Sequence, residues 1–189
     1  MPDQSLCGQP QTHMKYFILL TILGLFLYSC ASTKALPVAT SYEVIKDEET
    51  KVLKGTLSRS LIENDTAFAW FKNNMMYGSV DEFALNAFTQ KAGRFSILVF
   101  CGTWCHDSQN LLPKFYSLLD KSHFPDNQVT LIGVDRAKTA FGELHTKWNI
   151  NSVPTFIILV KGKEVGRVVE YGKTGNIEKE LGEVVLAIK

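Results

Sequence analysis

Residues 95–109 read FSILVFCGTWCHDSQ. Phe95 to Cys101 is a short continuous apolar run, the pattern of a strand buried on both faces. Gly102-Thr103 interrupts it, and Trp104-Cys105 then stands where a helix starts, because Leu111, Leu112, Phe115, Leu118 and Leu119 follow on one helical face. A cysteine at a helix start meets backbone N–H groups without intrahelical partners and the positive end of the helix dipole, which favour an anionic sulfur. The thiolate is the attacking species in sulfur chemistry, so this is where a nucleophile belongs. Ser108 is placed to donate its hydroxyl to the same sulfur. Cys101 closes the strand, and two readings stay open for it: a small core hydrophobe or a second thiol.

Working outward, Val129–Val134 is a second buried strand and Phe141–Trp148 a short helix. Pro154–Val160 is a third strand, Lys161-Gly162-Lys163 a turn, Glu164–Tyr171 a fourth strand, and Ile177–Ile188 a closing amphipathic helix. The order β-α-β-α-β-β-α predicts an α/β fold with a central mixed sheet of at least four strands flanked by helices on both sides. The first two strand-to-strand links are expected to be right-handed crossovers. Upstream, Leu53, Leu57 and Leu61 give Lys51–Leu61 the partial alternation of a strand. Asn64-Asp65-Thr66 caps a helix carrying Phe68, Trp70, Phe71 and Met75. Ser79-Val80-Asp81-Glu82 has the spacing of a capping box before Phe83, Ala84, Ala87 and Phe88. These helices make an N-terminal extension whose aromatic stripes read as core.

The beginning of the chain has a different character. From Met14 it reads MKYFILLTILGLFLYSC, and the apolar run from Tyr16 to Tyr28 is too short for a stable membrane-spanning helix. A charged start, an apolar middle and a small-residue end make residues 1–30 a secretory signal, with Met14 the natural start and residues 1–13 an over-called extension. Leu27-Tyr28-Ser29-Cys30 resembles a bacterial lipobox, which implies lipidation of Cys30 and a domain held at the bacterial cell envelope, facing the periplasm. Residues 31–50 are small and polar and read as a flexible tether, leaving residues 51–189 as the domain. Twenty basic and 19 acidic residues give a net charge of +1. No clustered basic face appears, so no nucleic-acid partner is expected. With Cys30 lipidated and Cys7 ahead of the start, only Cys101 and Cys105 remain, which excludes a disulfide-stapled scaffold. Export places these thiols where disulfides form and persist.

Four features in order resemble the thioredoxin family over Phe95 to Lys189. Trp104-Cys105-His106-Asp107-Ser108 takes the place of Trp-Cys-x-x-Cys. Pro113 falls where the family has a helix proline, Val153-Pro154-Thr155 matches its cis-proline segment, and Gly172 matches a glycine near its substrate groove. The resemblance implies a groove lined by Trp104, His106, Asp107, Val153, Pro154 and Gly172, in which an extended substrate pairs with the Val153 backbone. It also marks two departures. Ser108 replaces the resolving cysteine, and Val99 replaces the buried acid six residues before the first cysteine. The two losses together point to a monothiol Cys-x-x-Ser site.

The leading expectation is therefore a monothiol oxidoreductase in which Cys105 forms mixed disulfides and Ser108 assists. Its partners would be protein disulfides or thiols, and an external thiol would act as reductant. Isomerisation or removal of small-thiol adducts suits one cysteine better than bulk reduction. The alternative is a non-catalytic peptide-binding module or chaperone with an inert Cys105. Metal handling by Cys101, Cys105 and His106 fits poorly, since the matching second cysteine would fall at Gln109. Neither metal nor cofactor is expected.

Overall fold

A computed structural model describes residues 41–48 and 50–189 of the chain. The signal segment, Cys30 and tether residues 31–40 lie outside the described residues. No helix among the described residues is long and apolar enough to cross a membrane.

Six strands form one sheet: β1 (Ser41–Ile45), β2 (Val52–Leu57), β3 (Ser96–Cys101), β4 (Val129–Gly133), β5 (Thr155–Val160) and β6 (Lys163–Val169), in the spatial order β1-β2-β4-β3-β5-β6. The helices are α1 (Arg59–Glu63), α2 (Trp70–Met75), α3 (Glu82–Lys91), α4 (His106–Lys121), α5 (Leu144–Lys147) and α6 (Ile177–Leu186). The strands β3 and β4 are parallel, with Val99 opposite Leu131, and every other neighbouring pair is antiparallel. The link from β4 to β5 therefore joins strands of opposite sense and is not the second parallel crossover expected. An apolar run reports that a strand is buried; it carries no information on the strand's direction.

The continuous apolar character of β3 has the expected cause. Ile97, Val99 and Cys101 face a large core with Leu111, Leu112, Phe115, Phe156, Leu181 and Val185. Leu98 and Phe100 face a second core with Ile132, Val134, Ile150, Val153 and Ile157, against which Leu144 and Trp148 pack. The two sides are covered unequally. The long helices serve the first core, while the second is closed by a 3-10 turn at Phe141–Glu143 and the four-residue α5.

Two upstream expectations change. Residues 41–45, assigned to the tether, form β1, with Val44 opposite Leu53 and Glu43 opposite Lys54. Every β1 residue is exposed or half-buried, so its ladder with β2 holds it and no buried face announces it. The cap of α3 is Asp81, whose Oδ1 accepts from the Ala84 N–H at 3.0 Å, and Ser79 lies before it. Ala84, Ala87 and Phe88 are buried as expected, whereas Phe83 is 41% exposed.

Candidate functional site

Cys105 is the N-cap of α4 and makes no side-chain capping bond. Its backbone N–H donates to the Gly102 carbonyl at 3.0 Å, closing a tight turn from the end of β3 into the helix. The sulfur is partly buried, and its S–H donates to the Val153 carbonyl oxygen at 3.2 Å. Val153-Pro154 is a cis peptide. The candidate nucleophile and the Val153-Pro154 segment thus meet.

Ser108 behaves differently from the expectation. It is 1% exposed, and its Oγ accepts from the Gly102 N–H at 3.1 Å; no bond to the Cys105 sulfur is present. One helical turn inside α4, the hydroxyl reaches back to the turn's backbone and satisfies a buried N–H that would otherwise be costly. Ser108 supports the turn and stands in the buried place where a resolving thiol would be.

Cys101 is 1% exposed in the large core. Burial, with the Cys105 sulfur adding to it, pushes its thiol up to about 12. It stays protonated at neutral pH, which removes it as an attacking group and fits the core reading. Val99 is fully buried, and no carboxyl occupies that position.

Trp104 is half-buried and fixed at two points. Its Nε1–H donates to the Val134 carbonyl at 3.0 Å, and the Arg136 guanidinium lies 5.5 Å from the ring centre. Arg136 itself is paired with Asp47, and Asp135 with Lys54 at 2.8 Å, so Asp135 and Arg136 do not pair with each other. Burial alone would raise the Asp135 carboxyl. The Lys54 ammonium, the Thr139 hydroxyl and the Thr139 N–H outweigh it and bring the group down to about 2.

His106 is exposed and Asp107 half-buried at the start of α4. Gly172, φ 72°, faces the Glu180 carboxylate, where an added Cβ would sit 2.6 Å from both oxygens. That contact accounts for the glycine without a substrate. Among the described residues no group of three His, Cys, Asp or Glu side chains could hold a metal.

Three residues at the site escaped the sequence reading. Thr103 is 1% exposed, with its hydroxyl accepting from Leu53 N–H at 3.1 Å and donating to the Lys51 carbonyl at 2.9 Å. The Gln109 side-chain amide donates to the Thr103 carbonyl at 3.0 Å, and the Asn74 side-chain amide donates to the Gln109 carbonyl at 3.0 Å. One signal was present in the sequence. Pro113 has no N–H to give the carbonyl four residues earlier, that of Gln109, so an outside donor was required.

Comparisons with known proteins bear on the family of the chain. Residues 79–183, more than half of the chain, match the family model described as thioredoxin. TPR repeat-containing thioredoxin TDX of Arabidopsis thaliana is 37% identical over 94 residues, which cover 50% of this chain and 23% of that protein. Thioredoxin H2 of Arabidopsis thaliana is 22% identical over 95 residues, covering 50% of this chain and 66% of that protein. The match thus spans under a quarter of the first relative and about two thirds of the second. The X-ray structure of Fasciola hepatica thioredoxin aligns with a TM-score of 0.38 and 26% identity, over 55% of this chain and 89% of that one.

Proposed function

We propose, given that the chain belongs to the thioredoxin family, that it carries out thiol–disulfide exchange through one thiol, Cys105. The observation that carries the reading is the contrast between a half-buried Cys105 at the start of α4 and a buried Ser108 where a second thiol would resolve the intermediate.

In the first step the Cys105 sulfur, having lost its proton, attacks one sulfur of a protein disulfide or a small-thiol adduct. A Cys105–substrate disulfide forms, the substrate disulfide breaks, and the leaving thiolate takes up a proton. Resolution needs a second thiol. Ser108 cannot supply it, and Cys101 is held protonated in the core. In adduct removal Cys105 takes the small-thiol half and the substrate thiol is freed. An external thiol then attacks that mixed disulfide, returns Cys105 to its reduced form and leaves as a disulfide with the small thiol. In isomerisation a second thiol of the substrate itself makes that attack. No net reduction by the chain itself occurs, which favours isomerisation or adduct removal. The reading also places the domain at a bacterial cell envelope, on the strength of Leu27–Cys30 alone.

The test is removal of a small-thiol adduct from a peptide in the presence of an external thiol, compared between native protein and Cys105→Ser. Native activity that vanishes in the variant supports the reading. Peptide binding retained in both, with turnover in neither, would replace it with a binding module.

A further inference from the structure

Outside the matched residues 79–183 the chain carries β1, β2, α1 and α2, and two of these elements reach the turn that holds Cys105. The Thr103 hydroxyl accepts from the Leu53 N–H of β2 at 3.1 Å and donates to the carbonyl of Lys51, just before β2, at 2.9 Å. The other contact comes from α2. Pro113 leaves the Gln109 carbonyl without its intrahelical donor, and the Asn74 amide fills that place at 3.0 Å. The Gln109 side chain then holds the Thr103 carbonyl at 3.0 Å. Thr103 is thus gripped at its hydroxyl and at its carbonyl, two residues before Cys105, while Ser108 holds the Gly102 N–H from below at 3.1 Å.

We propose that the N-terminal extension is a brace for the reactive turn, with Asn74, Gln109 and Thr103 as positioning residues that keep the Cys105 sulfur at the start of α4. The inference rests on the reading of Cys105 as the reactive thiol. A buried turn with unpaired polar groups is costly, so each bond in the chain Asn74–Gln109–Thr103 favours one turn conformation over its alternatives. That conformation holds the sulfur at the N-cap of α4, next to the first-turn N–H groups and the Val153 carbonyl, with no side-chain capping bond made. A loosened turn takes the sulfur away from them and slows its attack. The extension then has a role in reactivity that its aromatic core packing does not reveal.

The test is the rate of reaction of Cys105 with a small aromatic disulfide, measured on the full chain with the melting temperature alongside. Asn74→Ala and Gln109→Leu are each expected to slow the reaction about fivefold, the effect of one lost hydrogen bond, and Thr103→Val, which loses two, about 25-fold. Thr103→Ser keeps the hydroxyl and should restore the native rate, a rescue that a purely structural role for the methyl group would not give. Arg167→Ala, which removes a pairing with Glu164 at the sheet edge, serves as a stability control and should leave the rate unchanged. If Gln109→Leu does not fold, Asn74→Ala decides, since Asn74 is only half-buried. Native rates in all folded brace variants, or an equal slowing in Arg167→Ala, would overturn the brace and leave the single-thiol reading standing. A native protein whose Cys105 does not react at all overturns both.

Discussion

The Cys105 S–H donates to the carbonyl oxygen of Val153 across 3.2 Å, joining the start of α4 to the segment that leads into β5. A thiolate has no proton to donate, so ionisation of Cys105 releases the Val153 carbonyl. In the proposed reading a substrate strand then pairs with it through a backbone N–H. In that reading, reactivity of the sulfur and access to the Val153 carbonyl are linked through one hydrogen bond.

That link predicts that Cys105→Ala, whose residue 105 donates nothing to Val153, binds an extended peptide at least as tightly as the native protein at pH 6. Isothermal titration with a cysteine-free peptide checks this. Weaker binding in the variant would mean that the peptide does not use the Val153 carbonyl.

Of Cys101 and Cys105, only Cys105 should be alkylated in the folded state. Cys101 is 1% exposed and its thiol is pushed up to about 12, so at pH 8 it offers neither access nor thiolate. Peptide mapping after iodoacetamide treatment should find Cys105 labelled and Cys101 labelled only in denaturant. Faster labelling of Cys101 in the folded protein would reverse the site assignment.

Ser108→Cys should convert the site to a dithiol. The position lies one helical turn from Cys105, so an internal disulfide gains a large effective concentration over any external thiol. Insulin reduction with a chemical reductant should appear in this variant and be absent from the native protein. The sulfur is a weaker acceptor for the Gly102 N–H, so stability falls by about 1 kcal/mol. The catalyst should remain slow, because Val99 offers no proton acceptor.

Gly102 has no room for a side chain. A Cβ there would stand 2.8 Å from Cε2 and 2.9 Å from Nε1 of Trp104, and 3.2 Å from the Cys105 Cβ. Gly102→Ala should therefore displace the indole, break its bond to the Val134 carbonyl and shift the tryptophan fluorescence, with Cys105 reactivity altered at the same time.

The Lys54–Asp135–Thr139 cluster predicts an acid-side dependence of stability. Asp135 titrates in the fold at about 2, below its usual 3.8, so its contribution is present above pH 3.8 and lost as pH falls through about 2. Asp135→Asn should cost on the order of 1–2 kcal/mol at pH 7, and the gap to native should narrow toward pH 2. Denaturant titrations at a series of pH values would show it; a constant gap would deny the carboxylate that role.

The strand β3 and helix α4 were legible because both are buried, and burial writes itself into residues 95–119 as unbroken or periodic apolar positions. The strand β1 was not, because its five residues bury no face and its partner is set by a backbone ladder to β2. The meeting of Cys105 with Val153 was legible only through resemblance, since 48 residues separate them. Side-chain direction was the least legible level. Ser108 has the same neighbours in sequence whether its hydroxyl serves the sulfur or Gly102, and only packing decides. The Asn74–Gln109 bond crosses 35 residues, yet Pro113 had already declared that the Gln109 carbonyl needed a donor.

Intact mass spectrometry after exposure of the reduced protein to a peptide disulfide, without added thiol, tests the central claim most directly. A single-thiol site predicts that, of Cys101 and Cys105, only Cys105 carries a peptide adduct, and that this adduct disappears only when an external thiol is added. Loss of the adduct without added thiol, leaving a chain lighter by two hydrogens with Cys101 and Cys105 joined, would contradict the single-thiol mechanism.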